Sequence, residues 1–212
     1  MTKPKVDYSL CLVTDRQIMT TPTLAEAVEQ AIAGGVTMVQ LREKDAAAAD
    51  IYHLALEVKA VCDKYDVPFI INDRADVALA VDAAGVHVGQ SDLPACVVRR
   101  MLGDDRILGV SAANVQEAVQ AQADGADYIG VGAMIPTGSK ADAKIVSISE
   151  LSAIRAAVSI PVMIIGGLNA DNLPFFIQTG ADSVAVISAI LAQRDVTAAA
   201  ATLQGLLRRS IT

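Results

Sequence analysis

The sequence predicts one α/β domain spanning residues 1–212, a (β/α)8 barrel of the TIM type. Eight short apolar runs each stop at a polar, charged or glycine-rich cluster, and a helix-like pattern follows each stop. The chain is 53% hydrophobic and only 3% aromatic, a composition typical of parallel strands that are buried on both faces. A doubly wound open sheet is the main alternative, but eight strand–helix units in 212 residues favour a closed barrel.

Apolar periodicity and the positions of glycine and proline predict each element in turn. The predicted strands are Ser9–Thr14, Thr37–Arg42, Pro68–Asn72, Gly85–Gly89, Ile107–Ser111, Tyr128–Gly132, Pro161–Gly166 and Ser183–Ile187. The predicted helices are Thr23–Ala33, Ala47–Tyr65, Arg74–Val81, Pro94–Leu102, Asn114–Ala123, Ser149–Ala157, Ala170–Thr179 and Val196–Arg209, with a short extra turn at Ala189–Ala192. Glycines such as Gly35, Gly125 and Gly180 follow helices, where their left-handed conformation ends the helix before the next strand.

Net charge and cysteine usage limit the partners and the compartment. A formal charge of −7 argues against nucleic acid or an anionic membrane as the main partner, and a homo-oligomer stays open. Cys11, Cys62 and Cys96 lie far apart and outside CxxC or metal-ligand spacing, which is typical of a reducing compartment. No apolar run has the length of a membrane span or of a signal-peptide core. We therefore expect a cytoplasmic protein.

Three polar residues at the end of the second predicted strand alternate by two along the chain: Gln40, Arg42 and Lys44. In a barrel, this spacing directs them to the interior mouth. Two inward cations are costly unless an anion meets them, so the trio predicts an anion site. The alternative is a solvated loop in which Glu43 or Asp45 pairs with the cations.

Carboxylates follow the third and fourth predicted strands. Asn72 and Asp73 end the third strand and Asp92 follows the fourth. Each aspartate taken alone is better explained as a helix N-cap. Together, beside the cations, they predict ligands of a Mg²⁺ ion that is shared with a phosphorylated substrate. His87 is predicted to pack in the core or to form a supporting hydrogen bond, and His53 to lie on the surface.

Hydroxyl groups follow the fifth and sixth predicted strands. Ser111 is as compatible with a helix cap as with a catalytic group, and no Ser–His or Cys–His pair is evident from the motifs. In Pro136-Thr137-Gly138-Ser139-Lys140, hydroxyls, a glycine and a lysine are typical of an anion-binding loop, although a plain surface turn fits equally well. The segment 137–146 is long and polar enough to be a lid.

A second, lighter anion site is predicted after the last two strands. Gly166 and Gly167 follow the seventh strand, and Ile187 and Ser188 end the eighth just before a short helical turn. Barrels of this type commonly bind phosphate with these two loops and a helix N-terminus. One diphosphate site and one monophosphate site are therefore expected.

The ordered motifs resemble those of the thiamine phosphate synthase family over nearly the whole chain. The motifs are Leu12–Arg16, Gln40–Lys44, Ile71–Arg74, His87–Pro94, Gly130–Gly132, Pro136–Lys140 and Gly166-Gly167. The resemblance implies a Mg²⁺-dependent barrel enzyme that couples a hydroxymethylpyrimidine diphosphate to a thiazole ethyl phosphate. Such an enzyme releases pyrophosphate and forms thiamine monophosphate, with bond cleavage preceding capture by the thiazole.

The resemblance also implies a role for each matching residue. The diphosphate would be held by Arg42, Lys44, Asn72, Thr137, Ser139 and Lys140. Asp73 and Asp92 would hold the metal, Gln40 and Ser111 would contact the pyrimidine or the leaving group, and Gly167, Ile187 and Ser188 would receive the thiazole phosphate. The residues expected to be catalytic are Arg42, Lys44, Ser111 and Lys140.

The chain departs from the family pattern in the sixth loop. The usual Thr-x-Thr-Lys is Thr137-Gly138-Ser139-Lys140, and Ile135 stands where a Phe or similar residue is usual. Serine keeps the hydroxyl but loses a methyl group, which would loosen the loop geometry. Three alternatives remain: a thiazole tautomerase-like paralogue, a Schiff-base aldolase using Lys140, and a non-catalytic protein that binds a phosphorylated ligand. Retention of the diphosphate-binding residues favours the synthase.

Overall fold

The computed structural model describes residues 3, 6–136 and 145–209. Within these residues, eight parallel strands pair in chain order, and the last strand pairs with the first to close a barrel. The strands are β1 Leu10–Val13, β2 Met38–Leu41, β3 Phe69–Asn72, β4 Gly85–Val88, β5 Ile107–Ser111, β6 Tyr128–Val131, β7 Val162–Ile165 and β8 Ser183–Val186. The predicted barrel is confirmed, and the open-sheet alternative is wrong.

Helices surround the barrel between and after the strands. They are α1 Leu24–Ala33, α2 Ala48–Lys64, α3 Ala75–Ala80, α4 Ala95–Leu102, α5 Val115–Ala123, α6 Ile148–Ala157, α7 Leu173–Ile177, α8 Ser188–Leu191 and α9 Val196–Arg209. The Thr197 hydroxyl on α9 donates to the Gln30 carbonyl of α1 at 3.0 Å, so the last helix packs against the first. No helix among the described residues is long and apolar enough to cross a membrane.

Several elements are shorter than the sequence predicts. Arg42 and Ile187 lie just beyond the ends of β2 and β8, not inside them. Helix α7 begins at Leu173 instead of Ala170 because the Asn169 side chain accepts hydrogen bonds from two following backbone N–H groups, which forms a turn before the helix. The ends of the strands therefore leave several predicted site residues on loops at the mouth of the barrel.

The barrel interior is filled by side chains from the strands. A cluster inside the barrel consists of Cys11, Val13, Met38, Ile70, Ile107, Tyr128, Met163 and Ala185. A second and larger core lies between the strands and the surrounding helices. Because this cluster packs the inside of the barrel, the interior is not an open channel. The carboxyl ends of the strands form the mouth where such barrels carry their sites.

Candidate active site

A cavity of about 630 Å³ opens at the carboxyl ends of the strands, within the size range of small-molecule sites. Among its lining residues are Gln40, Arg42, Lys44, Asn72, Asp73, Asp92, Ser111, Gly167, Ile187 and Ser188. Three further predicted site residues, Thr137, Ser139 and Lys140, lie outside the described residues, as does most of the predicted lid. The structure thus gathers ten predicted residues around one cavity, and their individual roles stay predictions.

The loop after β1 secures the end of β2. Thr14 is fully buried, and its N–H donates to the Gln40 carbonyl at 2.9 Å while its hydroxyl accepts from the Arg42 N–H at 3.0 Å. Gln40 is itself buried, with 5% of its surface exposed. Thr14 therefore holds both the Gln40 carbonyl and the Arg42 N–H, which fixes the backbone that carries these two side chains at the mouth.

Glu43, which lies between Arg42 and Lys44 in the chain, pairs with Arg16. Both oxygens of Glu43 accept from the Arg16 guanidinium, each at 2.8 Å. The fork of the guanidinium matches the carboxylate at two points, which makes this pair more directional than a single contact. Glu43 is thus directed towards the loop after β1, and the pairing with Arg16 could not be read from the local sequence.

Asp73 and Asp92 do not cap helices, so the capping interpretation was wrong for both. The N-cap positions of α3 and α4 are Arg74 and Pro94, and neither has a side-chain capping bond. The Asp92 carboxylate instead accepts the Gly89 N–H at 2.7 Å, which folds the loop after β4 back on itself. Asp73 has a positive φ of 63° and, like Asp92, lines the cavity.

The two carboxyl groups interact electrostatically. Burial, together with the nearby Asp92 carboxylate, raises the pKa of Asp73 to about 6, while the Lys44 ammonium and a hydrogen bond from Asn72 act in the opposite direction. Two partly buried carboxyl groups that repel each other form a place where a cation would be stabilised. Magnesium is commonly held by one or two carboxylates together with substrate phosphates and water.

No group of three or more His, Cys, Asp or Glu side chains suited to a metal occurs in the part of the chain that the structure describes. A pair of carboxylates is too small a set to enclose a cation on its own. The pair of Asp73 and Asp92 therefore fits an ion that is shared with a phosphorylated substrate, and does not fit an ion held by the protein alone.

A polar chain runs through the barrel interior beneath Ser111. His87 Nε2 lies 2.9 Å from Ser111 Oγ, and His87 Nδ1 lies 2.9 Å from the Tyr128 hydroxyl. The imidazole reaches across β5 because glycines face it: a Cβ on Gly109 would lie 2.5 Å from Nδ1, and one on Gly130 would lie 2.8 Å from Cε1. The motifs gave no indication of this contact between a serine and a histidine, which the structure forms across β4 and β5.

A sequence signal for this contact exists, but it needs the strand register. His87 pairs with Gly109 across β4 and β5, and Ser111 lies two residues further along on the same face. A glycine opposite a histidine, followed by an inward hydroxyl, predicts that the ring crosses the glycine towards the serine. The supporting role predicted for His87 agrees with its two hydrogen bonds.

The loops after β7 and β8 form the opposite wall of the cavity. Gly166 and Gly167 both have positive φ values, of 100° and 70°. A Cβ on Gly167 would lie 2.7 Å from the Cβ of Ile135, so a side chain there meets the loop after β6. Ile187 and Ser188 begin α8 on the same wall. This wall can therefore present backbone groups to a ligand at close range.

Sequence reasoning missed several lining residues. The Gln90 side chain donates to the Ser111 carbonyl at 2.7 Å and fixes the end of β5 from the loop after β4. Glu117 accepts the Ala113 N–H at 2.7 Å and holds the loop after β5. Ile145 is a large apolar residue on the cavity wall that is 52% exposed. Their position relative to the mouth identifies these residues, since no local pattern assigned them a role, although Gln90 lies within the motif His87–Pro94.

Comparisons with known proteins identify the family of this chain. The thiamine monophosphate synthase family profile matches residues 10–190. A thiamine-phosphate synthase of Clostridium beijerinckii is 57% identical over 202 residues, 95% of this chain and 97% of that protein. Another from Ruminiclostridium cellulolyticum is 60% identical over 198 residues, 93% and 94% of the two chains. The solved thiamine phosphate pyrophosphorylase from Pyrococcus furiosus has a TM-score of 0.89 and 36% identity, covering 97% of this chain and 98% of that one. The chain belongs to the thiamine monophosphate synthase family of enzymes.

Proposed function

We propose that the protein condenses hydroxymethylpyrimidine diphosphate with thiazole ethyl phosphate to give thiamine monophosphate and pyrophosphate. The observation that carries this proposal is a single cavity with two chemically different walls. One wall has cations and a carboxylate pair, and the other has a glycine turn and a serine at a helix start. Two phosphorylated substrates can meet there, and membership of the family supports this chemistry.

The first wall suits the diphosphate. Arg42, Lys44 and Asn72 line it and would bind the phosphate oxygens. Thr137, Ser139 and Lys140 complete this set in the proposal, from the loop after β6. Negative charge grows on the diphosphate as its bond to carbon breaks, so fixed cations act more strongly on the transition state than on the bound substrate.

Asp73 and Asp92 would hold Mg²⁺ together with the diphosphate. When bound, the metal would neutralise charge on the departing pyrophosphate. The raised pKa of Asp73 follows from its burial and its proximity to Asp92, and a shared cation would favour the ionised form of both groups.

Bond cleavage precedes bond formation in this proposal. Ser111 and His87 lie 2.9 Å apart, as in a nucleophile–base pair, but the other ring nitrogen of His87 contacts the Tyr128 phenol. That position in a serine hydrolase belongs to a carboxylate, which stabilises the imidazolium. A covalent enzyme adduct is thus disfavoured. An amino-substituted pyrimidine can delocalise the positive charge at its methylene until the thiazole nitrogen captures it.

The second wall suits the monophosphate. Gly167, Ile187 and Ser188 would receive the thiazole phosphate through backbone N–H groups and the serine hydroxyl. In this proposal, the thiazole ring would lie between the two walls, with its nitrogen directed towards the pyrimidine methylene.

The decisive experiment is an assay with both phosphorylated substrates and Mg²⁺ in which pyrophosphate is measured. We expect one pyrophosphate per thiamine monophosphate and no turnover in excess chelator. An electron-withdrawing substituent on the pyrimidine should slow single-turnover chemistry by on the order of 1000-fold or more, because it destabilises the cation. A flat response would indicate direct displacement, and no pyrophosphate at all would refute the synthase.

The alternatives give distinct results in the same system. A tautomerase would convert a thiazole substrate alone, and a Schiff-base aldolase would be trapped on Lys140 by borohydride. A binding protein would hold the product without turnover.

Lys140→Ala should lower kcat by about 100-fold if Lys140 acts on the leaving group. The matched control is Lys59→Ala, which removes a lysine that pairs with Asp63 on α2, away from the cavity.

A further inference from the structure

A series of hydrogen-bonded side chains connects the packed barrel interior to the cavity: Tyr128, His87 and Ser111. Tyr128 is fully buried, whereas His87 and Ser111 line the cavity. Each link is a hydrogen-bond distance of 2.9 Å. Polar groups inside a barrel are costly unless every member finds a partner. Gly109 and Gly130 leave the space that the imidazole occupies, so the surrounding strands accommodate this arrangement.

The direction of the hydrogen bonds follows from the Tyr128 phenol. Burial raises the pKa of Tyr128 well above its usual value, so the phenol keeps its proton. His87 Nδ1 lies 2.9 Å from the phenol oxygen, and a fully buried O–H group is costly unless it finds an acceptor. The single phenol proton is therefore directed to His87 Nδ1.

The tautomer of His87 follows in turn. A neutral imidazole carries one N–H, and if Nδ1 accepts from Tyr128 the proton must be on Nε2. Nε2 faces Ser111 Oγ and donates to it. The serine oxygen then has a donor on its inner side, and its own hydroxyl proton is left for the cavity.

We infer that His87 and Tyr128 are positioning residues, which hold the Ser111 hydroxyl as a hydrogen-bond donor towards the substrate. The atom that faces Ser111 is then an acceptor, either a ring nitrogen of a heterocycle or a phosphate oxygen. The identity of that acceptor rests on the proposed function, but the tautomer of His87 does not. Ser111 is also not a nucleophile, because the nitrogen beside it carries a proton instead of a lone pair.

The tautomer can be measured directly in the unliganded full chain. The sequence contains two histidines, so ¹⁵N-histidine labelling gives two imidazole spin systems. His53 is exposed on α2 and serves as the reference. At mildly alkaline pH, we expect His87 to be protonated on Nε2 alone. Protonation on Nδ1, or on both nitrogens, would overturn the inference.

Tyr128→Phe removes only the phenol oxygen and leaves the ring in the core. We expect His87 to lose its tautomer preference in this variant and kcat to fall about fivefold, the effect of one hydrogen bond, with KM nearly unchanged. Tyr8→Phe is the matched control, since the Tyr8 ring packs on Tyr128 at 5.3 Å and lies outside the hydrogen-bonded chain. It should leave both the tautomer and kcat unaltered. An unchanged tautomer in Tyr128→Phe would contradict the inference.

A double-mutant cycle separates positioning from general packing. If Tyr128 acts through Ser111, Tyr128→Phe should change kcat in the parent but not in a Ser111→Ala background. Equal effects in both backgrounds would instead indicate an independent structural role and would refute the inference. The spectroscopic result does not depend on turnover, so failure of the proposed reaction and failure of this inference are distinguishable.

Discussion

Arg16 and Glu43 form a two-point ion pair, with both contacts at 2.8 Å, between the loops that follow β1 and β2. Glu43 lies between Arg42 and Lys44 in the chain, and both of these cations line the cavity. Its side chain is only 12% exposed. The pair therefore keeps a partly buried carboxylate away from the proposed diphosphate site and ties two mouth loops together.

Arg16→Ala should release Glu43 to compete with the diphosphate for the neighbouring cations. We expect KM for the pyrimidine diphosphate to rise about fivefold, with a smaller change in kcat and in KM for the thiazole phosphate. Lys64→Ala is the control, because it breaks an exposed ion pair with Glu29 that is remote from the cavity. Steady-state kinetics with each substrate varied provides the measurement, and an unaltered diphosphate KM would contradict the role of this pair.

Asp73→Asn should stabilise the metal-free protein at neutral pH. The folded-state pKa of Asp73 is about 6 against an ordinary 3.8, so the folded state binds more protons and its stability falls as pH rises through this range. Asparagine removes the charge and tolerates the positive φ of 63°. In the presence of chelator, the melting temperature of the variant should be higher than that of the parent near neutral pH and equal to it at about pH 4.

Asp76→Asn is the control for this experiment, since the hydrogen bond and charge of Arg74 lower the pKa of Asp76. This opposite shift contributes stability at neutral pH, and the substitution should not raise the melting temperature there. Turnover should disappear in Asp73→Asn and persist in Asp76→Asn. A variant at position 73 that melts below the parent at neutral pH would show that the carboxylate is not under electrostatic strain.

Gly167→Ala tests the second wall of the cavity. Gly167 has a φ of 70°, and an added Cβ would lie 2.7 Å from Ile135. Gly180 has a φ of 85° with nothing within 4 Å of an added Cβ, so Gly180→Ala has a similar backbone cost of about 1 kcal/mol without the steric clash. Only Gly167→Ala should raise KM for the thiazole phosphate. Equal KM values for the two variants would argue against a phosphate at this turn.

Gly109→Ala should disturb the polar chain inside the barrel. The new Cβ would lie 2.5 Å from His87 Nδ1 and closer still to the Tyr128 ring, so both rings must move. We expect a loss of about 1–3 kcal/mol of unfolding free energy and a fall in kcat larger than any rise in KM. Gly205→Ala on α9 has open space and should be neutral or stabilising. Denaturant unfolding and steady-state kinetics on the same samples measure the two effects. A fully active Gly109→Ala enzyme would show that activity does not require the space that Gly109 leaves for the rings of His87 and Tyr128.

The barrel and the position of its site could be predicted because local sequence patterns indicate the strands and the polar residues at their ends. Strand β5, Ile107–Ser111, was predicted with its observed bounds, since an apolar run between a polar turn and the N-cap Asn114 leaves little choice. In a parallel barrel every strand ends at the same mouth, so strand order alone gathers Arg42, Asp73 and Ser111 around one cavity.

Individual partners were decided only by the tertiary structure. Nothing local distinguishes Asp92 as a helix cap from Asp92 as a loop-closing carboxylate beside Asp73, because the outcome depends on how the loop after β4 folds back to Gly89. His87 meets Ser111 and Tyr128 across 24 and 41 positions of chain, through a contact set by strand register and by a glycine between them. Sequence periodicity reports which face of a strand is buried. Which side chains touch across that face is fixed by the stagger of the closed barrel, a property of all eight strands together.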